Sequence, residues 1–173
     1  YKGKTIFVGD TSVNEYPSSE ELAEIAISSA RVVKLFGFIP KVAFVSHSTF
    51  GQPLTSRTKH IKKAVDILKN KDVDFEFDGD MQPDVALNEE YKELYPFSNI
   101  VGNANILIMP GQHSAAISYK MMKSLGETKV IGPLLIGLGQ PIEIAPLRSS
   151  TSEIINLASI AAYSADVIDY KKN

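Results

Sequence analysis

Four consecutive small polar side chains, Ser46, His47, Ser48 and Thr49, follow directly on the apolar run Val42–Val45, with Gly51 and Pro53 close behind. Hydroxyls and backbone amides in such a loop suit a phosphate or a carboxylate. The imidazole of His47 can serve as general acid or base or donate to a phosphate, or it can simply hydrogen-bond its neighbours. Arg57 stands just beyond, at the first turn of the next amphipathic segment, where it can reach an anion or face water. His113 follows Pro110-Gly111-Gln112 in a second loop of the same kind and is placed to line the same cleft. Arg148, Ser149 and Ser150 precede a capped helix, and an arginine with hydroxyls at a helix start makes an anion clamp. Arginine occurs only at positions 31, 57 and 148, which draws attention to those on loops.

Asp78 and Asp80 flank Gly79; such a pair can hold a divalent metal, act as acid and base, or form an ordinary acidic turn. His60, set among lysines in a helical segment, reads as part of a solvated face, and Met121 and Met122 read as core filling. The chain has no cysteine, so it has neither disulfides nor thiolate ligands, and no His-x-x-x-His spacing marks a metal site. Gly-x-Gly-x-x-Gly, Walker and Gly-x-Ser-x-Gly motifs are also missing.

The elements that must position these residues alternate in type. Strands are expected at Lys4–Gly9, Val42–Val45, Asp74–Asp80 (half-exposed by its period-2 pattern), Ala104–Met109 and Ile142–Ala145. Val130–Leu138 is a further apolar run, broken by Gly132 and Pro133, that could pair with Ile142–Ala145 as a hairpin. Helices are expected after the Ser18/Glu21 capping box, with Leu22, Ile25, Ala26, Val33 and Phe36 on one face and Gly37 as the stop. Others follow a Thr55 or Ser56 cap (Ile61, Val65, Leu68), run from Pro83 to Leu94 and from Ser114 to Leu125, and follow the Ser150/Glu153 cap. The alternation gives a three-layer α/β sandwich, its sheet mostly parallel but mixed if the hairpin forms. Ligands bind such sheets at the carboxyl ends of the strands, where Ser46–Thr49 lies.

A length of 173 residues is expected to make a single domain over 1–173, and 44% apolar residues suffice for a packed core. A net charge of −2 offers no general attraction to nucleic acid or anionic membrane, and no apolar run is long enough for a membrane span. A cytoplasmic location is expected. Beginning at Tyr1 in place of methionine, the chain reads as part of a longer polypeptide.

Several segments in order resemble the phosphate acetyl/butyryl transferase family over nearly the whole length. They are Val8–Asn14, Glu20–Ala26, Pro40–Ser48, Asp78–Gln82, Ala104–Pro110, Ile117–Lys120 and Ile131–Leu135. The resemblance implies the isocitrate/isopropylmalate dehydrogenase-like fold of phosphotransacetylases. Free-standing members carry a Ser-Tyr-Ser-Thr-type central loop, whereas Ser46-His47-Ser48-Thr49-Phe50-Gly51 looks more like the version in large NADP-dependent malic enzymes. Those hybrids place a malic enzyme before a transacetylase-like region, of which this chain would be the carboxyl-terminal subdomain. NADP and a divalent metal would then belong to the amino-terminal part, and none of the cofactors to this segment.

Active transferases of the family carry Ser-Arg, then an Asp six residues after the Arg, as anion clamp and base. Arg148 matches the Arg, but Leu147 and Ile154 stand at the Ser and Asp positions. An isoleucine takes no proton, so the family's route to acetyl transfer lacks its base here. Lys123 stands next to Ser124, where transferases often carry an arginine, and can substitute as a phosphate contact. The resemblance therefore implies a site for acetyl-CoA or acetyl phosphate on Ser46, His47, Ser48, Thr49, Arg57, His113, Lys123, Arg148 and Ser149. It implies regulation of a linked malic enzyme and self-association as a dimer or larger assembly. The alternatives are a working phosphate acetyltransferase and a purely structural dimer module.

Overall fold

The computed structural model describes residues 3–10, 12–126 and 129–170. The chain divides into two compact units, Tyr1–Gly126 and Glu127–Asn173. The first holds strands β1 (Phe7–Gly9), β2 (Lys41–Val45), β3 (Glu76–Met81) and β4 (Ile106–Ile108). Its helices are α1 (Ser19–Leu35), α2 (Ser56–Lys69), α3 (Pro83–Leu87), α4 (Glu89–Lys92) and α5 (Gln112–Leu125). The sheet order is β1-β4-β2-β3, and every neighbouring pair is parallel.

Parallel neighbours need crossovers, and the helices supply them. Side chains on one face of the sheet (Val42, Phe44, Ile106, Ile108) pack with Leu22, Ala26 and Val33 of α1 and Ile61, Val65 and Leu68 of α2. Those on the other face (Ala43, Val45, Leu107, with Met81) pack with Val85, Ala86, Ile100, Ala104 and Ala115. Both faces are covered, which is why Val42–Val45 of β2 and all of β4 are unbroken apolar runs. The unit is thus a three-layer α/β arrangement.

Both crossover helices on the first face begin at side-chain caps. The Glu21 N–H donates to Ser18 Oγ at 3.1 Å, and the Ser18 N–H donates back to Glu21 Oε2 at 2.6 Å. That reciprocal bond from the Ser18 amide holds the Glu21 carboxyl below its ordinary value. Thr55 caps α2, with Thr58 closing the box. After α1 the chain leaves through Gly37, in the left-handed region at φ +81°.

Four expectations require correction. Strand β3 starts at Glu76, and Asp78 and Asp80 are buried within it, so no half-exposed strand runs into an acidic turn. The segment expected as one helix from Pro83 to Leu94 breaks at Asn88, whose side chain caps α4 by accepting from the Glu90 N–H at 3.1 Å. Met121 and Met122 are exposed on α5, on no core face. The expected hairpin does not form, so among the described residues the sheet is wholly parallel.

In the second unit Leu134 and Glu143 make a single antiparallel bridge, and the Leu135 N–H donates to Glu143 Oε2 at 3.3 Å. Pro133 removes a donor beside Gly132, whose φ of +125° is incompatible with a strand. Burial pushes the Glu143 carboxyl above its ordinary value, only partly offset by the Leu135 amide. Helix α6 (Thr151–Tyr170) opens on the expected Ser150/Glu153 box. Among the described residues its buried apolar side chain is Leu157, whereas Ile154 and Ile155 are exposed.

Two measurements check the packing. A Cβ at Gly79 (φ +155°) would lie 2.7 Å from Phe44 Cβ, whereas one at Gly37 meets nothing within 4 Å. Denaturant titration is expected to show Gly79→Ala costing about 3 kcal/mol or more and Gly37→Ala only about 1 kcal/mol; equal losses would rule out steric closeness as the cause. For Glu21, the folded carboxyl lies below the ordinary 4.5. Its contribution is therefore complete above that value and lost as pH falls through the lowered folded one. The stability gap between wild type and Glu21→Ala should narrow across that acid range and stay flat from about pH 6 to 8, as a pH series of melting curves would read.

Candidate functional site

The loop from Ser46 to Gln52 leaves β2 at the carboxyl edge of the sheet, and an irregularity in β3 sets its shape. Phe44 pairs with Gly79, but Val45 pairs with Met81, so Asp80 is the extra residue of a β-bulge. The Gly79–Asp80 peptide bond is cis. The bulge frees the Asp80 carboxylate from the alternation of the strand and gives it to the loop. Ser48 Oγ donates to Asp80 Oδ2, and the Gly51 N–H donates to Oδ1 at 3.0 Å. The Phe50 N–H donates to the Asp80 carbonyl at 2.6 Å and the Ser46 N–H to the Met81 carbonyl at 2.9 Å. Gln82 completes the seam: its N–H donates to Thr49 Oγ1 at 3.2 Å, and its side-chain amide donates to the His47 carbonyl at 3.2 Å.

These bonds divide the expected ligand residues. Ser48 and Thr49 are buried, and their hydroxyls are committed to Asp80 and Gln82, so they shape the loop instead of lining its surface. Ser46 is half-buried and accepts from the Ser48 N–H at 3.3 Å; its Oγ lies 3.4 Å from His47 Nδ1. His47 is exposed. The hydroxyl of Ser46 and the imidazole of His47 are thus the loop's outward chemistry.

The other expected residues lie elsewhere. Arg57 is exposed on the first turn of α2, His113 on the first turn of α5 and Lys123 on its last turn. Gly111, ahead of His113, is required by packing, since a Cβ there would sit 2.7 Å from the Glu15 carbonyl oxygen. Arg148 is exposed and Ser149 half-buried in a turn of the second unit, where the Ser149 N–H donates to the Pro146 carbonyl at 2.9 Å.

The aspartate pair is turned to the protein's own donors. Asp78 accepts from the Gly79 N–H at 2.9 Å and the Asn99 N–H at 2.7 Å, so both carboxylates are spent on backbone donors and Ser48. Among the described residues no group of His, Asp and Glu has the arrangement to hold a metal. His60 does not face solvent alone: its Nε2 lies 2.9 Å from the Pro17 carbonyl and its Nδ1 3.1 Å from Ser19 Oγ, tying α2 to the start of α1.

Sequence reasoning passed over the surface next to the loop. A cleft of about 480 Å³ is lined by Phe50 and Gln52 of the loop, Asp84 of α3, and Leu94, Tyr95 and Phe97 beyond α4, among others. Phe50 is in the left-handed region (φ +50°), which places its ring 4.8 Å from that of Phe97 and 5.5 Å from that of Tyr95. The aromatic content of residues 91–97 was the available signal, hidden by the helical reading of that segment.

Comparison with known proteins bears on this arrangement. The family model described as phosphate acetyl/butaryl transferase matches residues 1–162. An NADP-dependent malic enzyme of Rhizobium meliloti is 49% identical over 164 residues, covering 95% of this chain and 22% of that protein. A phosphate acetyltransferase of Clostridium acetobutylicum is 36% identical over 162 residues, or 92% of this chain and 49% of that protein. Among solved structures, a phosphotransacetylase from Streptococcus pyogenes superposes with a TM-score of 0.89 at 33% identity, covering 95% of this chain and 50% of that one. The chain therefore spans about a fifth of the malic enzyme and half of the transferases.

The role of the bulge can be tested directly. Asp80→Ala leaves the Ser48 hydroxyl and the Gly51 amide without their buried acceptor, at an expected cost of about 2–4 kcal/mol in denaturant titration. His47→Ala, at an exposed side chain, is expected to cost less than about 0.5 kcal/mol. A fully stable Asp80→Ala protein would show that the loop holds its shape without the carboxylate.

Proposed function

The chain belongs to the phosphate acetyl/butyryl transferase family, and from that premise we propose that it binds acetyl-CoA without turning it over, as the regulatory region of a cytoplasmic NADP-dependent malic enzyme. The observation that carries this reading is Ile154. It stands where the family's transferases place the Asp that acts as base, on the exposed side of α6, with no proton-accepting atom. The 49% identity to a malic enzyme, against 36% to a free-standing transferase, supports the same assignment.

In this reading Ser46 and His47 are the polar groups that the β2 loop offers to the ligand's acyl and phosphate oxygens. Ser48 and Thr49 hold that loop in shape through Asp80 and Gln82. Arg57, His113 and Lys123 are further candidate anion contacts in the first unit, and Arg148 with Ser149 in the second. A guanidinium suits a phosphate because it donates two parallel N–H bonds. Regulation requires acetyl-CoA to bind two states of the full-length enzyme with different affinity, and about 1–3 kcal/mol of difference suffices. Self-association belongs to the proposal, and Ile117, Met121 and Leu125, exposed along α5, supply apolar surface in its support.

Calorimetric titration of the full-length protein is expected to show acetyl-CoA binding, with phosphate-dependent acetyl transfer at background. Arg148→Ala should weaken binding about tenfold or more and remove acetyl-CoA sensitivity while malate turnover persists. Transfer at ordinary enzyme rates would favour the phosphate acetyltransferase reading, and no binding at all would favour a structural module.

A further inference from the structure

The two edges of the sheet are finished differently. In the order β1-β4-β2-β3, β1 and β3 are the outer strands. β3 is shielded: it carries the Asp80 bulge, and its carboxylates hold residues 99–101 beside it. Asp78 accepts from the Asn99 N–H at 2.7 Å, and Glu76 accepts from the Val101 N–H at 2.8 Å. β1 has no bulge, and no proline occurs from Lys4 to Gly9. The Phe7 N–H donates to the Asn105 carbonyl at 2.8 Å, and the Met109 N–H donates to the Gly9 carbonyl at 3.4 Å. Phe7 and Gly9 thus turn their backbone groups towards β4, and Ile6 and Val8 turn theirs the other way. Among the described residues nothing hydrogen-bonds to the outward amide or carbonyl of either. Both residues are only half-buried, so this row is open to a partner.

What fits such an edge is another strand, because a second backbone satisfies alternate amides and carbonyls in one row. Its side chains must be apolar on both faces. On one face Phe7 packs into the first core and against the rings of Phe36 and Phe38, each 5.9 Å away. On the other, Ile6 and Val8 pack against the second core. Phe38 is still 42% exposed, which leaves an aromatic surface for that strand to cover. Gly3 shows how the strand arrives. Its φ of +74° lies in the left-handed region, although a Cβ there would meet nothing within 4 Å, so the glycine serves a turn and not the packing. We infer that β1 is the second strand of an antiparallel hairpin whose first strand comes from the longer polypeptide and enters through the turn at Gly3. This chain covers 22% of the Rhizobium meliloti malic enzyme, so a polypeptide of that kind has ample length to supply it. A strand of the same chain has only a short loop to close, whereas a second copy must lose its free translation and rotation. The inference rests on the longer polypeptide of the proposed function and not on acetyl-CoA binding.

The test is amide hydrogen exchange on the full-length protein, resolved to single residues by fragmentation mass spectrometry and run at two protein concentrations. The Phe7 amide, paired with Asn105, is the internal standard. The Ile6 and Val8 amides are expected to exchange within about tenfold of Phe7, equally at both concentrations. Exchange at the rate of exposed amides would overturn the inference, and protection that grows with concentration would overturn it in favour of a second copy. A photo-crosslinker, p-benzoylphenylalanine in place of the exposed Thr5, identifies the occupant. Its cross-links are expected within one polypeptide, to the segment ahead of Gly3; cross-links only between two polypeptides, or only to other segments, would overturn the assignment. Calorimetry with acetyl-CoA separates the two readings. Absence of binding would end the proposed function and leave the hairpin standing, and unprotected Ile6 and Val8 amides would do the reverse.

Discussion

One buried carboxylate organises the carboxyl edge of this sheet. Asp80 is 1% exposed, and burying a carboxylate is costly unless donors surround it. The Ser48 hydroxyl and the Gly51 amide supply those donors, and both lie on a loop with no regular structure of its own. The interaction therefore works in two directions. The loop satisfies the charge, and the charge selects one loop conformation, including the unfavourable backbone of Phe50. The β-bulge makes this possible, because without the extra residue the strand would keep its alternation, and Asp80 would occupy the place that Met81 takes opposite Val45.

Much of the architecture was legible from pattern alone. Apolar runs bounded by turn residues identified β2 and β4, and the Ser18/Glu21, Thr55 and Ser150/Glu153 caps located the starts of three helices. Pattern fails where long-range partners override it. Asp78 and Asp80 read as a solvent-facing turn, since nothing nearby in sequence announces that Asn99, 21 residues away, and Ser48, 32 residues away, will hydrogen-bond them. His60 is hidden for the same reason, its partners Pro17 and Ser19 lying 43 and 41 positions earlier. The run at 130–138 has the hydropathy of a strand but the backbone of Gly132-Pro133, and the backbone prevailed.

The site was half legible. The candidate loop's location at a strand end followed from the α/β pattern, and its small polar residues drew attention to it. Residue type could not say which hydroxyls point outward. Ser46 and Ser48 are chemically identical and two positions apart, yet Ser48 is buried against Asp80 while Ser46 remains half-exposed beside His47. The aromatic wall was illegible because its members come from the loop and from the segment beyond α4, apart in the chain and joined only by ring packing.

The split within the loop bears on how such a protein can change over time. Ser48 pairs with Asp80, and Thr49 with the Gln82 backbone amide, so altering Ser48, Thr49 or Asp80 strands a partner, and viable replacements must arise in concert. Ser46 and His47 carry no such obligation through their side chains to β3. New ligand preferences can therefore be sampled at two adjacent positions while the frame beneath them stays constant. The loop separates what must be inherited together from what is free to be tried.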